Sequence, residues 1–111
     1  MDLLKRIRTW RRWKADLHAS SIADVPDQIR RRHAVVVGSG ARDKWLVFDC
    51  PCRRGHRVLI NLDPENSPRW RVTARVPLTL IPSVDERSQA GHCHYVVRDG
   101  GVRWIERTDH R

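Results

Sequence analysis

The sequence predicts a mainly β protein with one N-terminal helix, its strands forming a small antiparallel sheet or open barrel with a zinc staple. Three observations carry this. From residue 34 onward, short apolar or alternating segments follow one another at close spacing, separated by turn residues. Before them runs a stripe of apolar residues at helical spacing. The three cysteines are an odd number in a chain with room for only a small core, where a metal site is a common support.

At 111 residues the chain holds one domain. Lys plus Arg is 22 against 13 for Asp plus Glu, a formal net charge of +9. An apolar fraction of 40% with 32% charged residues excludes a membrane-spanning or collagen-like chain. Five Trp and several Val/Ile/Leu runs speak against wholesale disorder. The longest apolar run, Ala34 to Gly38, is far short of a bilayer span. Basic residues recur from Lys5 to Lys14, where a signal peptide needs an apolar region. A cytoplasmic location is therefore expected, with reduced thiols serving metal ligation, catalysis or burial rather than disulfides.

Residues 1–18 read as a basic amphipathic helix. Leu3, Ile7, Trp10, Trp13 and Leu17 share one stripe, and Asp2 suits a first turn. Lys5, Arg6, Arg8, Arg11, Arg12 and Lys14 against Asp2 and Asp16 leave it at 6 − 2 = +4. Such a helix packs its Trp face on the domain, or docks on an acidic partner, nucleic acid or an anionic membrane surface. Residues 19–33, with Val25-Pro26-Asp27 and Arg30-Arg31-Arg32, read as a linker, and 34–111 as a single β-rich domain. Strands are expected over 34–38, 44–49, 57–62, 69–74, 77–81, 93–98 and 102–106. Asp99-Gly100-Gly101 marks the hairpin between the last two.

Two constellations could carry chemistry. Cys50-Pro51-Cys52-Arg53-Arg54-Gly55-His56 places two thiols on one turn, within reach of one tetrahedral ion. Cys93 offers a third ligand, and His56 or His92 a fourth; buried cysteines acting as small hydrophobes fit the pattern equally. The second is Ser83, after Ile81-Pro82, with His94 at the start of the next strand. Adjacent antiparallel strands could bring hydroxyl and imidazole together, as nucleophilic catalysis requires. By pattern alone they are equally a turn serine and a half-buried ring. The net charge with Trp70, Trp104 and Tyr95 would also suit nucleic acid, but the arginines are scattered and no nucleic-acid fingerprint is present.

The ordered set Phe48-Asp49-Cys50-Pro51-Cys52, Gly55-His56, Leu59-Ile60-Asn61-Leu62, Pro68-Arg69-Trp70, Leu80-Ile81-Pro82-Ser83, His94-Tyr95 and Val102-Arg103-Trp104 resembles a small bacterial family catalogued as a domain of unknown function. Its members look like CPCGCG…NL…W…PS…C-x-S-H-(F/Y)-W-I…W and occur beside bacterial ubiquitin-like conjugation genes. The resemblance covers roughly residues 34–106. It implies a zinc-binding serine peptidase, deubiquitinase-like and connected with antiphage defence. Ser83 matches the Ser of the family's Pro-Ser, His94 the His of its Ser-His-aromatic motif, and Cys50 and Cys52 the first two knuckle cysteines. Arg54 and Gly91 stand where the family often has cysteines, so a site here would be rebuilt from Cys50, Cys52, Cys93 and a His, with His56 the first choice.

The resemblance thus implies a peptidase that processes or deconjugates a ubiquitin-like protein after its C-terminal Gly through Ser83 and His94, with structural zinc. Asp85, Glu86 and Asp99 are candidates for an orienting group. Expected partners are the ubiquitin-like protein and its conjugates, with E1- and E2-like proteins of the same operon. The alternative is a non-catalytic, zinc-stabilised adaptor that binds a partner protein or nucleic acid through its basic helix.

Overall fold

The computed structural model describes residues 11–89 and 91–109. Eight strands form two four-stranded sheets. The first is β1 (Lys14–Ala19), β2 (His33–Val37), β3 (Trp45–Asp49) and β4 (Arg57–Asn61), in that order across the sheet. The second is β5 (Arg71–Arg75), β6 (Leu78–Ser88), β7 (Gly91–Arg98) and β8 (Gly101–Asp109), again in chain order. All neighbours pair antiparallel except β1 and β2, which run parallel.

The sheets face each other across one core. Ala34, Val36, Leu46, Phe48, Val58 and Ile60 of the first sheet meet Leu78, Leu80, Val84, Tyr95 and Val97 of the second. The intervening residues Val35, Val37 and Val47 point the other way, into a second cluster with Ala19 and Ile29. This explains why β2 is apolar at every position from Ala34: both of its faces are covered.

The expected fold class is corrected on two points. Among the described residues there is no helix of seven or more residues. Leu3, Ile7 and Trp10 of the expected helix lie outside the described residues; its last five residues, together with Ala19 of the expected linker, form β1 (Lys14–Ala19). Nor do the strands make a single antiparallel sheet or an open barrel; they make two sheets. Parallel strands need a long crossover, and residues 20–32 supply it. They contain a 3₁₀ turn at Ile22–Asp24 and bury Ile29 against the sheet. The helical stripe failed because tertiary pairing overrode local pattern: Trp13 and Ala15 are buried two residues apart in the inter-sheet core, Ala19 is buried on the opposite face beyond a register shift, and Leu17 stays 38% exposed.

Trp13 ties the two sheets together. Its N–H donates to the Gly100 carbonyl at 2.8 Å, and its carbonyl accepts from the Leu78 N–H at 2.9 Å. Its indole packs edge-on against Phe48, with ring centroids 5.6 Å apart. Gly100 must be glycine here: its φ is +77°, and a Cβ would lie 2.5 Å from the Arg12 Cβ. Trp13→Ala is expected to cost about 3–5 kcal/mol, the usual range for truncating a buried aromatic. Urea unfolding measures this; an unchanged midpoint would show that the segment is not part of the core.

Candidate active site and metal centre

β6 and β7 carry the site. Leu80 pairs with Val97, but Val84 pairs with Tyr95, so the register slips by two residues around Pro82, which has no N–H to give. Ser83 sits in the slipped stretch. Its Oγ lies 2.8 Å from His94 Nε2, and both residues are half-buried. They line an open groove of about 550 Å³ together with Trp70, Pro82, Asp85 and Arg87. The Trp70 indole N–H donates to the Ser83 carbonyl at 3.3 Å, fixing the backbone at the serine.

Carboxylates flank the imidazole on both sides. Asp85 lies opposite His94 on β6, and Glu106 opposite it on β8. Both reach towards His92, the buried neighbour whose ring stacks beside His94 with centroids 6.3 Å apart. His92 Nε2 is hydrogen-bonded to Asp85 Oδ1, and its Nδ1 lies 3.6 Å from Glu106 Oε2. Of the three candidate orienting groups, Asp85 is thus beside His94 but bonded to His92. Glu86 points inward to His56, its Oε1 3.5 Å from Nδ1. Asp99 is in the β7–β8 turn, where its N–H donates to Thr79 Oγ1. Glu106 escaped sequence reasoning; only the β7–β8 register brings it opposite His94.

On the inner face of the same strands, Cys50, Cys52, His56 and Cys93 gather with all four ligand atoms within 4.8 Å of one another. Cys52 Sγ is 3.1 Å and Cys93 Sγ 3.9 Å from His56 Nε2. The turn is held by the Arg107 guanidinium, which donates to the Cys52 carbonyl at 2.6 Å. This group could hold a metal ion. His92, the other candidate ligand, faces away from it. Burial pushes the Cys50 and Cys93 thiols up, with the neighbouring thiols adding to the shift, which makes them poor nucleophiles.

The family described as the bacterial ubiquitination-like system serine protease (BubE) matches residues 21–105. The chain belongs to this family. No curated protein and no solved structure matches it. The BubE match spans Ser83, His94 and all four residues of the Cys/His group. BubE membership makes the chain a serine protease of a bacterial ubiquitination-like system. No helix among the described residues is long and apolar enough to cross a membrane.

The hydrogen bond from His92 holds Asp85 below the usual carboxylate range. A depressed folded-state value means the stabilisation is present above the unfolded-state value and is lost as pH falls through the folded one. Asp85 is largely exposed, so the contribution is small, about 0–1 kcal/mol after solvent screening. Asp85→Asn should lower the melting temperature slightly at neutral pH, with the difference closing in acid. Thermal melts across that range check it, and a difference that grows in acid would contradict it.

Proposed function

We propose that this chain is a peptidase that processes or deconjugates a ubiquitin-like protein after its C-terminal Gly, with Ser83 as nucleophile and His94 as general base. The observation that carries the reading is the 2.8 Å approach of Ser83 Oγ to His94 Nε2 at the floor of an open groove. Distances in this range are what proton transfer between nucleophile and base requires. A non-catalytic adaptor offers no role for a serine and an imidazole so aligned.

In this reading Ser83 Oγ attacks the carbonyl carbon of the terminal Gly and its proton passes to His94 Nε2. The tetrahedral intermediate collapses to an ester on Ser83, and the C–N bond breaks as His94 returns the proton to the leaving amine. Water then attacks the ester, giving its proton to His94, and releases the Gly carboxylate with regeneration of the Ser83 hydroxyl. Asp85 and Glu106 lie on either side of His94, where their charge favours the imidazolium formed in each step.

Cys50, Cys52, Cys93 and His56 would hold a structural zinc. Three thiols and an imidazole suit that ion, and the ligand atoms already converge. His56 Nδ1 is buried without a hydrogen-bond partner, and Glu86 at 3.5 Å is placed to accept a hydrogen bond from the Nδ1–H once the ring binds metal through Nε2. Bound there, zinc would cross-link the β3–β4 turn to β7. The thiols face the inter-sheet core while His94 faces the groove, so the ion would support the fold and stand apart from the reaction.

Ser83→Ala is expected to lower kcat by a factor on the order of 10³ or more, and His94→Ala to do nearly the same. The double variant should be little worse than either, because the pair acts as a unit. Intact-mass measurement of cleavage of the ubiquitin-like protein reads this out; full activity in Ser83→Ala would sink the serine mechanism. For the metal, elemental analysis should find close to one zinc per chain. Cys52→Ser should abolish binding and unfold the domain, since zinc binding here is folding energy. A metal-free and fully folded chain would refute the zinc assignment.

A further inference from the structure

Away from the serine, the β3–β4 turn and the chain before β2 enclose a pocket of about 460 Å³. Arg31, Arg32, Arg53 and Arg57 line it against two acids, Asp27 and Asp49. Its floor is apolar, from Trp13 and Ile29, both buried. Asp49 is engaged, since it takes the Arg57 guanidinium at 3.2 Å, and Arg57 also donates to the Asp27 carbonyl at 2.9 Å. Arg57 is thereby fixed, while Arg31 and Arg53 project on the exposed rim. Both line the same pocket, and the Arg53 charge holds the Arg31 guanidinium below its usual value. Like charges kept this close favour an anion between them.

The pocket is joined to the serine groove. Arg57 also borders a trough between β4 and β6, which runs over the exposed Leu59 to Trp70 and Asp85. Trp70 and Asp85 in turn line the groove of Ser83 and His94. One continuous surface therefore leads from the dyad, past an apolar patch, to the arginine pocket.

We infer that the arginine pocket is the docking site for an acidic patch on the folded body of the ubiquitin-like substrate, whose C-terminal tail follows the Leu59–Trp70 trough to Ser83. The inference rests on the peptidase reading for the identity of the partner, and on the residues shared between pocket, trough and groove for the path of the tail. Charge complementarity favours this occupant: the pocket lining carries four cations against two acids, and the chain as a whole carries +9. The groove at Ser83 is shallow, so an extended tail alone would bury little there. A second anchor on the body supplies both affinity and choice of partner, and steers association.

The test measures binding in the Ser83→Ala background, so that no turnover intervenes. The full chain is titrated with the ubiquitin-like protein by calorimetry at low and high salt. Arg31→Glu with Arg53→Glu should weaken affinity about tenfold or more at low salt and flatten its salt dependence, since two rim charges are reversed. Arg103→Glu, a single charge reversal on β8 and so half the charge change, should leave affinity unaltered. Metal content and melting temperature of each variant establish that it is folded. Unchanged affinity in the folded double variant, or equal loss in Arg103→Glu, would overturn the docking site, as would a parent chain that does not bind. Loss of binding to a short single-stranded DNA with the ubiquitin-like protein still bound would also overturn it, and would mark a nucleic-acid site instead. A chain that binds through these arginines yet cleaves nothing would leave the docking site standing and remove the catalytic reading.

Discussion

Pro82 has no N–H to give to a neighbouring strand, and the ladder between β6 and β7 slips by two residues around it. That slip decides which residue stands opposite His94. Carried on unbroken, the Leu80–Val97 register would seat Ser83 directly opposite His94 and Asp85 opposite His92. Instead Asp85 takes the place opposite His94, and Ser83 lies on the diagonal, where the reach of the imidazole closes the gap to 2.8 Å. Asp85 then reaches diagonally to His92, and the β7–β8 register adds Glu106 on the other side. Two ladders, each with a register shift next to the site, thus surround His94 with a hydroxyl and two carboxylates.

Side-chain alternation along β7 separates support from chemistry. Cys93, Tyr95 and Val97 turn into the inter-sheet core, while His92 and His94 turn out to the groove. On β6 the same alternation sends Val84 and Glu86 inward and Asp85 and Arg87 outward. The Cys/His group and the Ser–His pair therefore stand on opposite faces of one sheet, although Cys93 and His94 are neighbours in sequence. A metal held by that group would link the β3–β4 turn to Cys93 and restrain the strand that carries His94 without entering the space where a substrate would lie. In a domain this small, such a restraint replaces core volume that the chain does not have.

What was legible in the sequence follows the same division. The expected strands are visible because each alternates or is bounded by turn residues, and the CxC turn with a distant Cys93 is visible because its ligands are few and distinctive. His56 could be preferred over His92 only as a first choice; the structure separates them, one turned inward and the other outward. β1 could not be read, since Lys14–Ala19 has no strand pattern strong enough to outweigh a helical stripe, and a parallel pairing depends on β2, far along the chain. The Ser83–His94 approach was not derivable from spacing, because it depends on how β6 and β7 register across the sheet, which no local pattern states. Pro82 was the available signal, but it reads as the end of the expected 77–81 strand, whereas β6 runs on through it to Ser88 with a break in its ladder. Glu106 and the clasp of Asp85 on His92 are products of register alone.

The open groove also bears on how such a protease would choose its substrate. A pair of side chains on the outer face of a sheet, with no enclosed pocket around it, can position a backbone carbonyl but holds little of the residues on either side. Peptidases of that kind must draw discrimination from contacts remote from the scissile bond, because binding energy made there can be spent on aligning the reacting atoms. A ubiquitin-like protein presents such contacts by its construction, with a folded body attached to a short tail. The tail's small terminal residues suit a shallow groove, and the body is large enough to span the trough from Trp70 to the arginines. On the proposed reading, a groove that is unselective at the serine and a charged anchor some distance away would be two parts of one arrangement, in which the body decides which tails reach Ser83.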